Sequence, residues 1–170
     1  MRAGAALCVL AGVLGAQQFK FNLDHLAGKA AEKVELSLDA NMLQLASGFL
    51  SAKDGDEAKV KKMISGLQGV YIRSYDFKND GEYTKADLEQ IRAQLKAPEW
   101  TRPIVVSDDT DNVEVWVRTE QGKMSGLAIL SSEPRNLTVV NIVGTVDLTM
   151  LADLGGHFGI PKRLLPPKKK

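Results

Sequence analysis

Acidic side chains in the middle of the chain are spaced as the ligands of a calcium-binding loop would be. Asp76, Asp80 and Asp87 occupy the first, fifth and twelfth positions of such a loop, with Gly81 at the sixth. Lys78, however, puts a cation at the third position, and Asp87 replaces the bidentate glutamate. The residues before the loop have the pattern of a strand rather than a helix. We therefore predict a strand-to-helix turn without metal.

A second acidic stretch contains Asp108, Asp109 and Asp111 and lies between two runs of β-branched residues. Three carboxylates this close could gather a cation, but the position is typical of a solvated hairpin turn. We predict a turn and no metal site. Added calcium or zinc should leave the melting temperature unchanged, because an ion that binds only the native state would raise it.

Groups for nucleophilic or acid–base catalysis are few and scattered. His25 and His157 lie far apart in sequence, and neither has a Cys, His or carboxylate at metal-ligand spacing. The serines Ser47, Ser131 and Ser132 are outside any Gly-x-Ser-x-Gly turn, and no phosphate-binding or dinucleotide motif occurs. We predict no catalytic site and no cofactor. A dyad assembled by folding stays open as an alternative, since its members need not be close in sequence.

Residues 1–16 have the pattern of a secretory signal peptide. Arg2 precedes an uncharged and mostly apolar run that ends in small residues. The run is shorter than the roughly 20 apolar residues that a membrane-spanning helix needs. Cleavage after Gly15 or Ala16 would remove Cys8, the one cysteine, and with it thiol and disulfide chemistry. We predict export to the periplasm or the extracellular space, with no transmembrane span in the mature chain; a retained membrane-surface anchor is the alternative.

Charge is unevenly distributed along the chain. Of 22 basic and 21 acidic residues, Arg2 and the five cations of residues 162–170 account for six basic ones. Residues 17–161 therefore carry 16 basic against 21 acidic residues. An acidic body argues against a nucleic-acid-binding domain, which concentrates positive charge on a folded face. We predict that the basic tail is disordered; weak contact with a membrane surface is the alternative.

The strongest structural signal is a series of β-branched runs with period-two alternation between residues 112 and 147. Turn sequences separate the runs at residues 120–122 and 133–136. Together with a shorter run at 103–107, this pattern is typical of a four-strand antiparallel meander. Two further alternating runs, Val34–Leu38 and Val70–Phe77, predict two more strands.

Apolar residues at helical spacing predict five helices. The first lies within residues 22–33 with Asn22 as its cap, and the second follows the capping residue Asp39. The charged residues 53–57 open the third, and the fourth begins at a capping box, Thr84 to Asp87. Asp147 caps the last. The apolar stripes expected to be buried in the second and third helices are Met42, Leu43, Leu45, Ala46, Phe49 and Leu50, then Val60, Met63, Ile64 and Leu67.

The predicted element order is therefore α, β, α, α, β, α, β, β, β, β, α. Four consecutive strands exclude a regular βαβ repeat and a doubly wound parallel sheet. We predict a single α+β domain over residues 17–161, built on a mainly antiparallel sheet with helices packed on at least one face.

Several segments carry a family resemblance. They are Leu38-Asp39, Val70-Tyr71, Ser125-Gly126-Leu127-Ala128-Ile129, Asn141-Ile142-Val143-Gly144 and Leu151-Ala152-Asp153-Leu154-Gly155-Gly156. In these segments the chain resembles an exported bacterial family known as domain of unknown function 4252, and the Asn-Ile-Val-Gly strand is the most specific of them. The resemblance implies a small, exported, non-catalytic domain. It supplies no substrate and no functional residues.

Alternation within the strands assigns side chains to two faces of the sheet. Val113, Val115 and Val117 share the core face, which places Trp116 on the other. Burying an unpaired Asn141 would cost about 1–3 kcal/mol, so Asn141 is also assigned to this second face. The candidate binding residues there are Tyr71, Arg73, Tyr75, Trp116 and Arg118.

Tyrosine and tryptophan are favoured at binding hot spots, so the second face is our candidate interaction surface. The alternative is that a helix, the N-terminal one, covers it. We predict an exported binding module for an envelope protein or a small apolar ligand. A structural or regulatory accessory of a membrane partner is the alternative, and a hydrolase with a dispersed site is a further one.

Overall fold

Six antiparallel strands and four helices form the part of the chain that the computed structural model describes, Phe19 and residues 22–146. The strands are β1 (Glu32–Asp39), β2 (Leu67–Asp76), β3 (Trp100–Ser107), β4 (Asn112–Glu120), β5 (Lys123–Glu133) and β6 (Asn136–Gly144). The helices are α1 (Asp24–Ala27), α2 (Ala40–Phe49), α3 (Gly55–Ser65) and α4 (Lys85–Arg92). The predicted α+β class is confirmed.

All six strands belong to one sheet, in the order β1-β2-β6-β5-β4-β3. The last four strands pair with their neighbours in the chain, while β2 lies between β1 and β6. The turn from β4 to β5 uses Gln121 and Gly122 with φ of 50° and 76°. Because glycine adopts positive φ at no steric cost, Gly122 fits this hairpin turn.

Period-two alternation gives the sheet two apolar faces. We call the side that bears Val113, Val115 and Ile129 the first face, and the side that bears Tyr75 and Leu137 the second face. The side chains separate as the alternation in β2, β4 and β6 predicts, so the assignment of residues to faces is confirmed.

A buried cluster covers the middle of the first face. Its members are Ile72, Val113, Val115, Leu127, Ile129, Val140, Ile142 and Val146. All come from strands except Val146, which is the last residue that the structure describes. The branched side chains of adjacent strands pack side by side here and stabilise the sheet.

Helices pack against the part of the second face around Tyr75 and Leu137. Leu23 and Leu26 at the N-terminal end, and Ile91 of α4, join Tyr75 and Leu137 in one buried cluster. Burial of a large apolar side chain away from water stabilises the folded state by about 1.5–3 kcal/mol. Helices therefore pack on at least this face.

Helix starts follow the predicted capping residues. The Asp39 side chain accepts a hydrogen bond from the backbone N–H of Met42 at the start of α2. Thr84 and Asp87 form the predicted reciprocal capping box of α4. The α1 prediction was wrong in extent: α1 has four residues, Leu23 rather than Asn22 is its cap, and β1 already begins at Glu32.

The prediction of buried stripes on α2 and α3 was also wrong. Leu43 is the one buried residue of α2, and α3 has none. The two helices contact each other, and α2 also lies against β1 and β2 at one edge of the sheet. An edge position offers an α2 side chain less surface to pack on than the middle of the sheet would.

Three predicted segments lie outside the residues that the structure describes. They are the signal peptide at 1–16, the last helix from Asp147, and the basic tail at 162–170. Within the described residues, no helix is both long and apolar enough to cross a membrane.

Candidate functional site

The five candidate residues of the second face do not form one open surface. Tyr71, Tyr75 and Arg118 are buried, while Arg73 and Trp116 are partly buried. The face is divided into a half around Tyr75, which helices cover, and a half around Trp116.

The half around Tyr75 is part of the core. Leu23 and Leu26 lie in the same buried cluster as Tyr75, which is the arrangement that the alternative of a covering N-terminal helix described. Burial raises the pKa of the Tyr75 hydroxyl, and the charge of Glu35 raises it further. The Arg73 guanidinium donates to the backbone oxygens of Leu36 and Ile72 at 3.0 and 2.9 Å, so it is engaged at the β1 edge.

A buried carboxylate, Glu114, lies two residues before Trp116 in β4 and accepts hydrogen bonds from three side chains, Arg92, Arg102 and Asn112. Its side chain is 1% exposed, and it accepts from Arg92 Nε at 2.9 Å and from Arg102 Nη1 at 2.8 Å. Burial raises the pKa of Glu114, but the hydrogen bonds from the two arginines outweigh it and hold the pKa below its usual value. Because Arg92 belongs to α4, this pair fastens α4 to the sheet.

A second polar contact joins α1 to α4. His25 Nε2 lies 2.8 Å from Asp87 Oδ1, and the Thr84 hydroxyl donates to Asp87 Oδ2 at 2.8 Å. Burial raises the pKa of Asp87, but the hydrogen bonds from Thr84 and His25 outweigh it and lower it. The hydroxyl bonds the carboxylate and not the imidazole. This is therefore not the order of nucleophile, base and acid that a catalytic triad requires.

The half around Trp116 contains a set of polar side chains from β3, β4 and β6, which we call the Asn141 cluster: Trp100, Trp116, Arg118 and Asn141. In the strand register Trp116 lies opposite Ala128, and Ala128 lies opposite Asn141. Neighbouring strands are about 4.8 Å apart, so the backbones of Trp116 and Asn141, with β5 between them, are separated by about 10 Å. Trp100 lies opposite Arg118 on the edge strand.

Small residues form the floor between these side chains. A Cβ at Gly126 would lie 3.4 Å from the Trp100 ring, so that ring lies over Gly126. The Phe19 ring packs on Trp100 with 5.5 Å between centroids, and both belong to a buried cluster with Ala128. On the opposite side, Tyr71 folds back over Gly69. Aromatic rings thus flank a floor that lacks large side chains.

The Asn141 cluster is unusual because five of its buried polar atoms have no hydrogen-bond partner among the described residues. Asn141 is 0% exposed, and neither its amide nitrogen nor its oxygen makes a hydrogen bond to any described residue. The same holds for Trp100 Nε1, Trp116 Nε1 and Arg118 Nε. A buried polar group without a partner costs about 1–3 kcal/mol, and native proteins contain few of them. Five such atoms on three strands of one face therefore need an explanation.

The exposed side of α2 is a separate feature. Met42, Leu45 and Phe49 lie at helical spacing, and Leu45 and Phe49 are 66% and 88% exposed. A surface depression beside them is lined by Asn41, Gln44 and Gly48. No charged residue occurs between Ala40 and Ala52.

Asn141 lies on the second face, as predicted, but it is buried there, whereas the prediction expects its amide to be accessible. The available signal was a single amide within the apolar strand Leu137–Val143. Trp100 was not identified, since its position depends on the pairing of β3 with β4. Among the described residues, no three His, Cys, Asp or Glu side chains gather as a metal site would require.

The family comparison gives one result. The sequence model of the family described as Domain of unknown function (DUF4252) matches residues 29–154. No curated protein and no solved structure matches the chain.

Proposed function

The chain belongs to the family described as Domain of unknown function (DUF4252), and we propose that it is an exported binding module without a catalytic site. Its ligand lies on the second face, around Trp116 and Asn141. The acidic segments at residues 76–87 and 108–111 and the His25–Asp87 contact are structural in this proposal.

The observation that carries the proposal is the set of five buried polar atoms in the Asn141 cluster that have no hydrogen-bond partner in the described part of the chain. A fold gains nothing from such atoms, because an apolar residue of the same shape would avoid their desolvation cost. A ligand that hydrogen-bonds them would recover that cost. Stored destabilisation of this kind is a common feature of binding sites, where stability is exchanged for function.

A second candidate function rests on α2. Its exposed stripe of Met42, Leu45 and Phe49 favours contact with a protein partner, as expected for an accessory of an envelope complex. Such a partner would present an apolar surface, because residues 40–52 offer no charge to pair. This contact and the ligand site occupy different parts of the fold and can be tested separately.

The ligand is sought by native mass spectrometry of the full chain purified from exported material. The wild-type protein is expected to retain a bound compound. Trp116→Ala should lose that compound while its free energy of unfolding falls by less than that of Leu137→Ala. Leu137 is fully buried on the covered half of the same face, so Leu137→Ala should cost about 2–5 kcal/mol and leave the bound compound in place.

Equal ligand content in wild type and Trp116→Ala, together with a stability loss of several kcal/mol, would make Trp116 an ordinary core residue. The same material tests export: N-terminal sequencing should begin near Gln17. Protein that retains Met1 in the cytoplasm would contradict export and leave the ligand site unaffected.

A further inference from the structure

The hydrogen-bonding capacity of the Asn141 cluster indicates what kind of ligand fits it. Of the five atoms without a partner among the described residues, four are nitrogen donors, on Trp100, Trp116, Arg118 and Asn141, and one is an acceptor, the Asn141 amide oxygen. We propose that the cluster binds a peptide main chain that carries an aromatic side chain. This inference rests on the proposed function and specifies the ligand class for that site.

Asn141 provides the recognition of a peptide group. Its side-chain amide has one carbonyl and one NH₂ group, and these complement the N–H and C=O of a peptide unit. The two indole N–H groups are donors only, so they require carbonyl oxygens. A peptide supplies such oxygens at each residue. A hydrocarbon chain supplies none.

The local charge favours a neutral ligand group over a carboxylate or a phosphate. Arg118 Nη2 already pairs with Glu120 at 2.6 Å and with Glu99 at 3.7 Å. The two other arginines beside the cluster, Arg92 and Arg102, pair with Glu114. Positive charge is therefore neutralised on the protein, and an anion would meet carboxylates without gaining a new cation.

Phe19 occupies the aromatic part of the site in this structure. Its ring is buried on Trp100 beside Ala128, and it is a side chain of a peptide segment. A peptide that binds in trans must displace Phe19, so the apparent affinity for such a peptide falls by the fraction of molecules in which Phe19 is bound. Phe19 is thus a competitor from within the chain.

The test uses the full chain and the probe acetyl-Gln-Gln-Phe-amide, which copies residues 17–19. Both tryptophans of the protein lie in the cluster, so intrinsic fluorescence reports on the site directly. Two matched probes separate the parts of the ligand. Acetyl-Gln-Gln-Ala-amide keeps the peptide groups without the ring, and phenethyl alcohol keeps the ring without the peptide groups.

We expect acetyl-Gln-Gln-Phe-amide to bind at least about tenfold more tightly than either matched probe. Phe19→Ala should strengthen its binding about tenfold, because the internal competitor is removed. Asn141→Leu should weaken it about tenfold, and Asn141→Ala should do the same, which excludes an effect of side-chain bulk. Equal melting temperatures of the wild type and Asn141→Ala would show that the fold persists.

Binding that is unchanged in both Asn141 variants, or equal binding of phenethyl alcohol, would overturn the peptide inference. So would weaker probe binding in Phe19→Ala. If the peptide fails to bind while purified protein retains another compound that Trp116→Ala loses, the proposed function stands and the peptide inference fails. If neither binds, both fail.

Discussion

The guanidinium carbon of Arg102 lies 5.0 Å from the centre of the Trp116 ring, which belongs to the Asn141 cluster. The same guanidinium donates to the buried carboxylate of Glu114 at 2.8 Å. A cation over an indole face is favourable by about 0.5–1 kcal/mol at partly exposed sites. Glu114 therefore holds Arg102, and Arg102 in turn restricts the orientation of Trp116.

Replacing Arg102 should disturb Trp116 more than its partial exposure suggests. We expect Arg102→Gln to lower the free energy of unfolding by at least about 1 kcal/mol and to shift the tryptophan emission, because the ring loses its cation and Glu114 loses one of its two arginines. Arg135→Gln is the matched control, since Arg135 pairs with Asp80 where both side chains are more than 60% exposed. Exposed pairs contribute little, so this control should change neither quantity. If Arg102→Gln changes neither the free energy of unfolding nor the tryptophan emission, Arg102 does not restrict Trp116.

Glu114 should make the protein sensitive to acid. Its folded-state pKa lies below the usual value of 4.5, so its contribution to stability is fully present above pH 4.5. That contribution is lost as the pH falls through the lower folded-state pKa. Asp87, whose pKa is lowered from 3.8, acts in the same direction. Chemical denaturation between pH 7 and pH 2 measures the loss.

Glu114→Gln should cost about 3 kcal/mol at pH 7, because two arginines lose a buried partner. The same variant should lose less stability on acidification than the wild type, since the titrating group is gone. Parallel stability curves for the two proteins over the acid range would show that Glu114 is not the group responsible.

Substitutions at two residues of α2, Phe49 and Leu43, should differ in their effect on the free energy of unfolding. Phe49 is largely exposed, so Phe49→Ser should change the free energy of unfolding by less than about 0.5 kcal/mol. Leu43 is buried, and Leu43→Ala should cost about 2–5 kcal/mol. If α2 contacts a protein partner, Phe49→Ser should reduce cross-linking to that partner in the envelope while the fold is unchanged. A large stability loss in Phe49→Ser would place Phe49 in the core instead.

The sheet could be predicted because its pattern is local. Alternation in β2, β4 and β6 sorts Val115 from Trp116 and Val140 from Asn141 without knowledge of which strands pair. The capping residues Asp39 and Thr84 were also identified, since a cap bonds to backbone groups two or three residues away.

Features that depend on contacts between distant parts of the chain could not be predicted from these local patterns. The apolar stripe of α2 has the period of a core helix, but its position at the sheet edge leaves Phe49 exposed. Likewise, an isolated asparagine in a strand gives no sign of whether water or protein will surround it. The partners of Glu114, namely Arg92 and Arg102, come from α4 and β3, so their contact appears only in the folded chain.

The most direct test of the central claim, that Asn141 is kept unpaired for a ligand, is the free energy of unfolding of Asn141→Leu without ligand. Leucine has the same branched shape and no polar atoms, and Asn141 is fully buried without a partner in the described part of the chain. We predict that Asn141→Leu is more stable than the wild type by about 1–3 kcal/mol. A variant that is less stable by a similar amount would show that Asn141 has a structural role, and would contradict the claim.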